Sequence, residues 1–399
     1  MAKALPRVLQ RPTVPRSPTG STPMPRAYCI TAEAIAAERK RVNDDLTKFD
    51  IASVIRLDEV ALRALGSNDV RLRILAVSAE HNVDHAALAD TTNIAEARGG
   101  KMYPGNSAVG EVTAVGASVV KFKVGDVVVT HCNGEPDTYG YPLRIWAYDQ
   151  PDSIGWYGEE AVVADWQIIP APLGCGLNLW EIAALPLRAL GIYRLKVGRG
   201  QRAVLNVLGF GGGVSELFLM LAAHEGHRAI FCSGSPERRK HLESLGIEPI
   251  DQKAFNRFTG KDDVKNFNKH VKGMTGGEGV QIVCDMLRGP VYGAGLAVLA
   301  RMGVNVSAGW QLDTGCNYNS ANLSVRQITV DHVHYETVEA CHAATELYGS
   351  VFRPTVHREI YKFEDLPRAM AEMHENVQTG IPIVRVAEDL PASVRHLVP

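Results

Sequence analysis

The sequence has no CxxC pair and no regular spacing among its seven cysteines, which argues against a disulfide framework and a zinc ribbon. Cys29, Cys132, Cys175, Cys232, Cys284, Cys316 and Cys341 are scattered, as expected of free thiols in a reducing cytoplasm. An excess of charge of one sign is also missing. A formal net charge of −2 gives no reason to expect nucleic acid or an acidic membrane surface as partner. No apolar run approaches the length that crosses a bilayer. Residues 1–25 contain no acid and no apolar h-region, so they read as a proline-rich disordered tail rather than a secretory leader. Internal repeats and extended low-complexity tracts are absent as well.

What is present is an ordinary globular mixture in a chain of 399 residues, too long for one core, so two domains are expected. The most informative stretch is 202–240. Residues 202–208 are β-branched and apolar in a continuous run, which suits a strand buried on both faces. Gly209, Gly211, Gly212 and Gly213 follow at once, and Val214 opens an apolar segment of helical length that ends at His224. Strand, glycine turn and helix in that order form a dinucleotide site: the glycines admit a pyrophosphate close to the backbone, and the helix N-terminus offers free N–H groups. The second strand runs into Ser233, Gly234, Ser235, and then Arg238, Arg239 and Lys240, with no acid at its tip. Hydroxyls with basic residues one turn away suit a 2′-phosphate, so the expected cofactor is NADPH, with Ser233, Ser235 and Arg238 meeting that phosphate. The same basic residues also read as the solvated face of the next helix.

Before this stretch the chain has the rhythm of a turn-rich β domain: residues 70–78, 106–115 and 124–130 read as strands, and residues 27–50 as a helical, charge-rich insertion in what begins as a strand. Residues 131–160 form a long aromatic loop, and loops of that length in compact domains are usually functional. Residues 179–197 read as a helix. After the glycine turn, helices and strands alternate, with a polar excursion through 256–272, as in a doubly wound parallel sheet. The segments 337–348, 357–361, 366–379 and 383–386 are too short to fold alone and are expected to return to the first domain.

Four segments, VGDVVVTHCN (124–133), RIWAYDQPD (144–152), SVRQITVDHVHYETVEA (324–340) and HENVQTGIPIVRV (374–386), resemble crotonyl-CoA carboxylase/reductase, within the medium-chain dehydrogenase/reductase superfamily. The resemblance covers nearly the whole chain after Pro25. It implies an α/β fold with a GroES-like catalytic domain, 26–187 and 335–399, and a Rossmann NADPH-binding domain, 188–334. It further implies NADPH-dependent reduction of an α,β-unsaturated acyl thioester, carried by coenzyme A or a carrier protein, in a homodimer or homotetramer. Hydride goes to the β carbon, and the α carbon then takes up either CO2 or a proton.

The resemblance also assigns residues. Asp84, Asp149 and His334 stand at the family's asparagine, glutamate and histidine that handle CO2, with Tyr148 at its aromatic position and His332 close enough to His334 to be confused with it. Asp84 and Asp149 read alternatively as loop caps. Phe210 and Ser215 depart from the family's glycine turn; Phe210 puts bulk into it, and Ser215 replaces a packing glycine while offering a hydroxyl to a phosphate. Asn82, Asn106 and Leu187 fall where zinc alcohol dehydrogenases of the superfamily hold their metal, and none suits zinc. His81 and His85 flank Asp84 without a third distant ligand. An aspartate in place of the family's asparagine favours simple reduction over carboxylation. Three alternatives stay open: a carboxylating enzyme, a zinc-free quinone or enone reductase, and a non-catalytic homologue.

Overall fold

The computed structural model describes residues 24–89, 92–184, 204–309, 318, 320–333 and 336–399. Most of the expected tail, the continuation of the 179–197 helix beyond Ala184, Leu187 and His334 lie outside the described residues.

The chain opens with β1 (Arg26–Thr31), which pairs antiparallel with β2 (Ile55–Glu59) and β4 (Lys101–Met102) in a small sheet. The helix Ala32–Val42 follows β1, its N-terminus capped by the Thr31 side chain, so the charge-rich insertion lies between two paired strands. The long strand β3 (Asp69–Ser78) is the spine of a seven-stranded sheet with β5 (Ala108–Val115), β6 (Val127–Thr130), β7 (Glu160–Ala164) and β8 (Ile168–Pro170). Its other two strands come from the C-terminal end. β15 (Val356–Lys362) runs parallel to β16 (Ile381–Arg385), and β16 pairs antiparallel with the end of β3, Ile383 opposite Ser78.

A second sheet holds six parallel strands, β9 (Asn206–Phe210), β10 (Arg228–Ser233), β11 (Glu248–Asp251), β12 (Val280–Asp285), β13 (Leu299–Ser307) and β14 (Thr329–His332), in the order β11-β10-β9-β12-β13-β14. The strand order reverses between β9 and β12, and a crevice for a ligand opens at such a switch point, beyond the carboxyl ends of the strands. The glycine turn lies there, between β9 and the helix Val214–His224. That helix is buried from Val214 to Ala222, so nearly its whole circumference packs between sheet and neighbouring elements.

One expectation changes. The polar excursion contains a 14-residue helix, Lys261–Met274, that buries only Phe267 and Val271. Val264, Phe267, Val271 and Met274 recur at helical spacing, but ten polar, charged or small residues around them hide the period. The alternation of helices and strands also has no loop at one point: β13 begins at Leu299, directly after the helix Pro290–Val298.

Candidate active site

At the glycine turn each departure from the family pattern has a structural role. Gly209 lies within the buried part of β9, and a Cβ there would lie 2.8 Å from Leu219 on the following helix, so this glycine permits close strand–helix packing. Gly211 and Gly213 have φ of 88° and 56°, left-handed values that a glycine adopts at little cost, and Gly213 caps the helix that Val214 begins. Phe210 does not fill the turn. Its ring is fully buried with Phe258 and Phe267, both centroids 5.8 Å away, on the far side of the sheet strand. The Ser215 hydroxyl donates to the Phe210 carbonyl at 2.6 Å and is fully buried, so it ties helix to strand and is not directed at a phosphate.

The tip of β10 is more crowded than the sequence suggests. Ser233 Oγ accepts the Ser235 N–H at 3.2 Å, and Ser235 Oγ accepts the Arg238 N–H at 3.3 Å as the cap of the helix Pro236–Ser244. The absence of an acid holds for β10 itself but not for its surroundings. Arg239 Nη1 donates to the Ser233 carbonyl at 2.6 Å and to Asp251 at 3.1 Å, on the neighbouring strand end. Arg238 Nη1 donates to Glu216 at 2.6 Å, on the first turn of the helix after the glycines. Glu216 is fully buried.

The second centre forms at the end of β3, where the chain turns through Glu80 into the short helix Asp84–Leu88. Asn106 Nδ2 donates to Glu80 at 2.9 Å and to the Asn82 side-chain oxygen, while Ser78 and Ser107 hydroxyls each donate to the other Glu80 oxygen at 3.1 Å. At the zinc positions of the superfamily this chain therefore has two amides bonded to one another. They supply neither thiolate nor imidazole, and the metal does not fit. Among the described residues no group of three or more His, Cys, Asp or Glu side chains gathers to hold a metal. Purified protein is expected to carry no stoichiometric zinc and to keep its activity in chelator; elemental analysis finding one tightly held zinc per chain would contradict this.

Asp84 is buried, and one of its oxygens, Oδ2, accepts from His374 Nδ1 at 3.1 Å and from His81 Nδ1 at 3.3 Å. Burial pushes the Asp84 carboxyl up, but the hydrogen bonds from His374 and His81 outweigh it and hold the group below its ordinary value. These hydrogen bonds favour the ionised carboxylate at Asp84. The hydrogen bond to Asp84 raises His374, against the opposing effect of burial. Asp84 Oδ1 is buried with no hydrogen-bond partner among the described residues.

Tyr148 shares this centre: its hydroxyl donates to the Asn82 carbonyl at 3.2 Å, and its ring stacks on His85 at 5.4 Å. His85 therefore packs against an aromatic ring while His81 faces Asp84. Asp149 is used differently. Its Oδ1 accepts the Ile145 N–H at 2.5 Å and closes a turn of the aromatic loop, which is the loop-cap role. His332 ends β14, exposed, with its ring on Tyr292 at 6.0 Å; burial and then Arg288 lower its pKa. His374 and Glu216 are the polar residues that sequence reasoning missed. Glu216 leaves one trace, an acid inside the apolar run VSELFLMLAAH.

This architecture matches known families. Residues 66–173 match the alcohol dehydrogenase GroES-like domain and residues 213–350 the zinc-binding dehydrogenase family. The chain is 26% identical over 364 residues to the crotonyl-CoA reductase of Streptomyces collinus, covering 82% of this chain and 80% of that protein. It is 23% identical over 380 residues to the crotonyl-CoA carboxylase/reductase of Cereibacter sphaeroides, covering 86% and 84%. In fold it is similar to the 2-octenoyl-CoA carboxylase reductase CinF, solved in complex with NADP and 2-octenoyl-CoA, with a TM-score of 0.78 at 21% identity over 94% of this chain and 91% of that one. The chain belongs to the medium-chain dehydrogenase/reductase superfamily. Within it, the chain resembles crotonyl-CoA carboxylase/reductase.

Proposed function

We propose that the protein is an NADPH-dependent reductase of α,β-unsaturated acyl thioesters and that it completes the reaction with a proton rather than with CO2. The relatives' names and the NADP in the solved neighbours support the reaction class and the cofactor. NADPH would be held by the turn Gly209, Gly211, Gly212 and Gly213, by the helix start at Val214, and at its 2′-phosphate by the tip residues Ser233, Ser235 and Arg239. When bound it supplies a hydride to the β carbon, which leaves the α carbon to take a proton or carbon dioxide.

The chain's own residues favour the proton, and the observation that carries this is the ionised Asp84 between two histidines. Carbon dioxide has partly negative oxygens, so a pocket that retains it needs donors; an ionised carboxylate only accepts. The Tyr148 hydroxyl is turned onto the Asn82 carbonyl, and Asp149 onto the Ile145 N–H. His374, with its raised pKa, keeps a proton beside Asp84 that can pass toward the α carbon. The role of His334 remains part of the proposal on the strength of the family resemblance alone.

The pairing of β16 with β3, and of β15 with β16, supports a catalytic domain of residues 26–187 and 335–399 around a nucleotide domain of 188–334. Among the described residues β14 is an outer strand of its sheet, and such a strand edge supports a homodimer or homotetramer built there. The described cysteines are all free thiols, which supports a cytoplasmic setting. No helix among the described residues is long and apolar enough to cross a membrane.

Fluorescence titration tests the cofactor. NADPH is expected to bind about tenfold to a hundredfold more tightly than NADH, the worth of one charge-assisted contact to the extra phosphate. Equal affinities would refute the assignment.

A further inference from the structure

The dinucleotide turn contains an ion pair that the cofactor reading does not explain. Glu216 has no exposed surface, yet it lies on the first turn of the helix whose N-terminus is expected to receive a pyrophosphate. Its Oε1 accepts from Arg238 Nη1 at 2.6 Å, and its Oε2 lies 3.4 Å from the Thr355 N–H of the returning C-terminal segment. The Arg238 side chain reaches from the helix Pro236–Ser244 to make this contact and lies against the glycine turn, where a Cβ on Gly212 would collide with its Nη1. Gly212 thus makes room for a guanidinium.

We infer that Glu216 is a positioning residue that pins Arg238 to the glycine turn, so that Arg238 meets the phosphates common to NADPH and NADH and not the 2′-phosphate that distinguishes them. This rests on reading the turn as a dinucleotide site. A guanidinium has five N–H donors, and the bond to Glu216 uses one, so others are left for an anion at the turn. Glu216 resists giving up its partner because a buried carboxylate that loses its guanidinium keeps only the weaker compensation of the Thr355 N–H and the helix start. The pair also cancels charge: without Arg238, a buried anion at the helix start would repel a pyrophosphate from its own binding place. The 2′-phosphate is then left to Ser233, Ser235 and Arg239, which lie at the strand tip.

Two variants test this by titration with NADPH and with NADH, thermal melting serving to check folding. Glu216→Gln keeps the shape and an acceptor but weakens the hold on Arg238. In Glu216→Gln with Arg238→Met both charges are gone, and no buried charge is stranded. The double variant is expected to lose about tenfold or more in affinity for both dinucleotides, with the ratio between them unchanged. Glu216→Gln alone, with Arg238 released toward the strand tip, is expected to raise the preference for NADPH. Loss of NADPH affinity with NADH unaffected in the double variant would overturn the inference while leaving the cofactor reading intact. Unchanged affinity for both in that variant would likewise overturn it. If the wild-type protein binds neither dinucleotide, the cofactor reading fails, and this inference with it.

Discussion

Asp84→Asn is expected to destabilise the protein by about 2 kcal/mol near pH 6, because a buried charge-assisted network loses the negative charge of its acceptor. The loss should depend on pH with a definite sign. Asp84 is held below its ordinary value in the folded chain, so its contribution is present above the unfolded value of about 4 and fades as pH falls through the depressed one. His374 is raised, so its contribution is complete below the unfolded value of about 6.5 and is lost as pH rises through the folded one. The stability gap between wild type and variant is therefore widest between about pH 4 and 6.5 and narrows in alkali. Urea unfolding of both proteins across this range measures it. A gap that stays constant with pH would mean that Asp84 and His374 do not share a proton-linked contact.

The second large effect concerns the product. In saturating bicarbonate, with NADPH and an enoyl-CoA, mass spectrometry is expected to find predominantly the saturated acyl thioester from the wild-type protein. Asp84→Asn replaces an acceptor-only group with an amide that donates, and should increase the carboxylated share. Adding Asp149→Glu, which would restore the family pair, carries a cost visible in the structure: Asp149 closes a turn through the Ile145 N–H at 2.5 Å, and a longer side chain would loosen it. The single variant is therefore the cleaner test. A predominantly carboxylated product from the wild type would refute simple reduction, and the ionised Asp84 would then have to face away from the reacting carbon.

The parts of the chain that were legible in the sequence are those whose chemistry is local. A continuous apolar strand, four glycines and an apolar helix lie within 206–224, so the dinucleotide turn and the doubly wound order around it can be read in place. The helix Lys261–Met274 was not legible because Phe267 and Val271 are its only buried residues and charge surrounds them. Contacts across the fold leave no spacing to read. Asp84 and His374 are separated by 290 positions, and Glu216 and Arg238 by 22 with a strand between them, so only the folded chain brings either pair together. For the same reason Ser215 and Phe210, which look like damage to a phosphate turn in the sequence, are internal packing in the structure.

The central claim, reduction of an enoyl thioester at the expense of NADPH, is tested most directly by following NADPH oxidation with a panel of enoyl-CoA and enoyl-carrier thioesters and, separately, with quinones. A thioester is expected to drive oxidation, quinones are not, and one saturated thioester should appear for each NADPH consumed. Rapid reduction of quinones with the thioesters ignored, or NADPH left untouched by every acceptor, would contradict that claim.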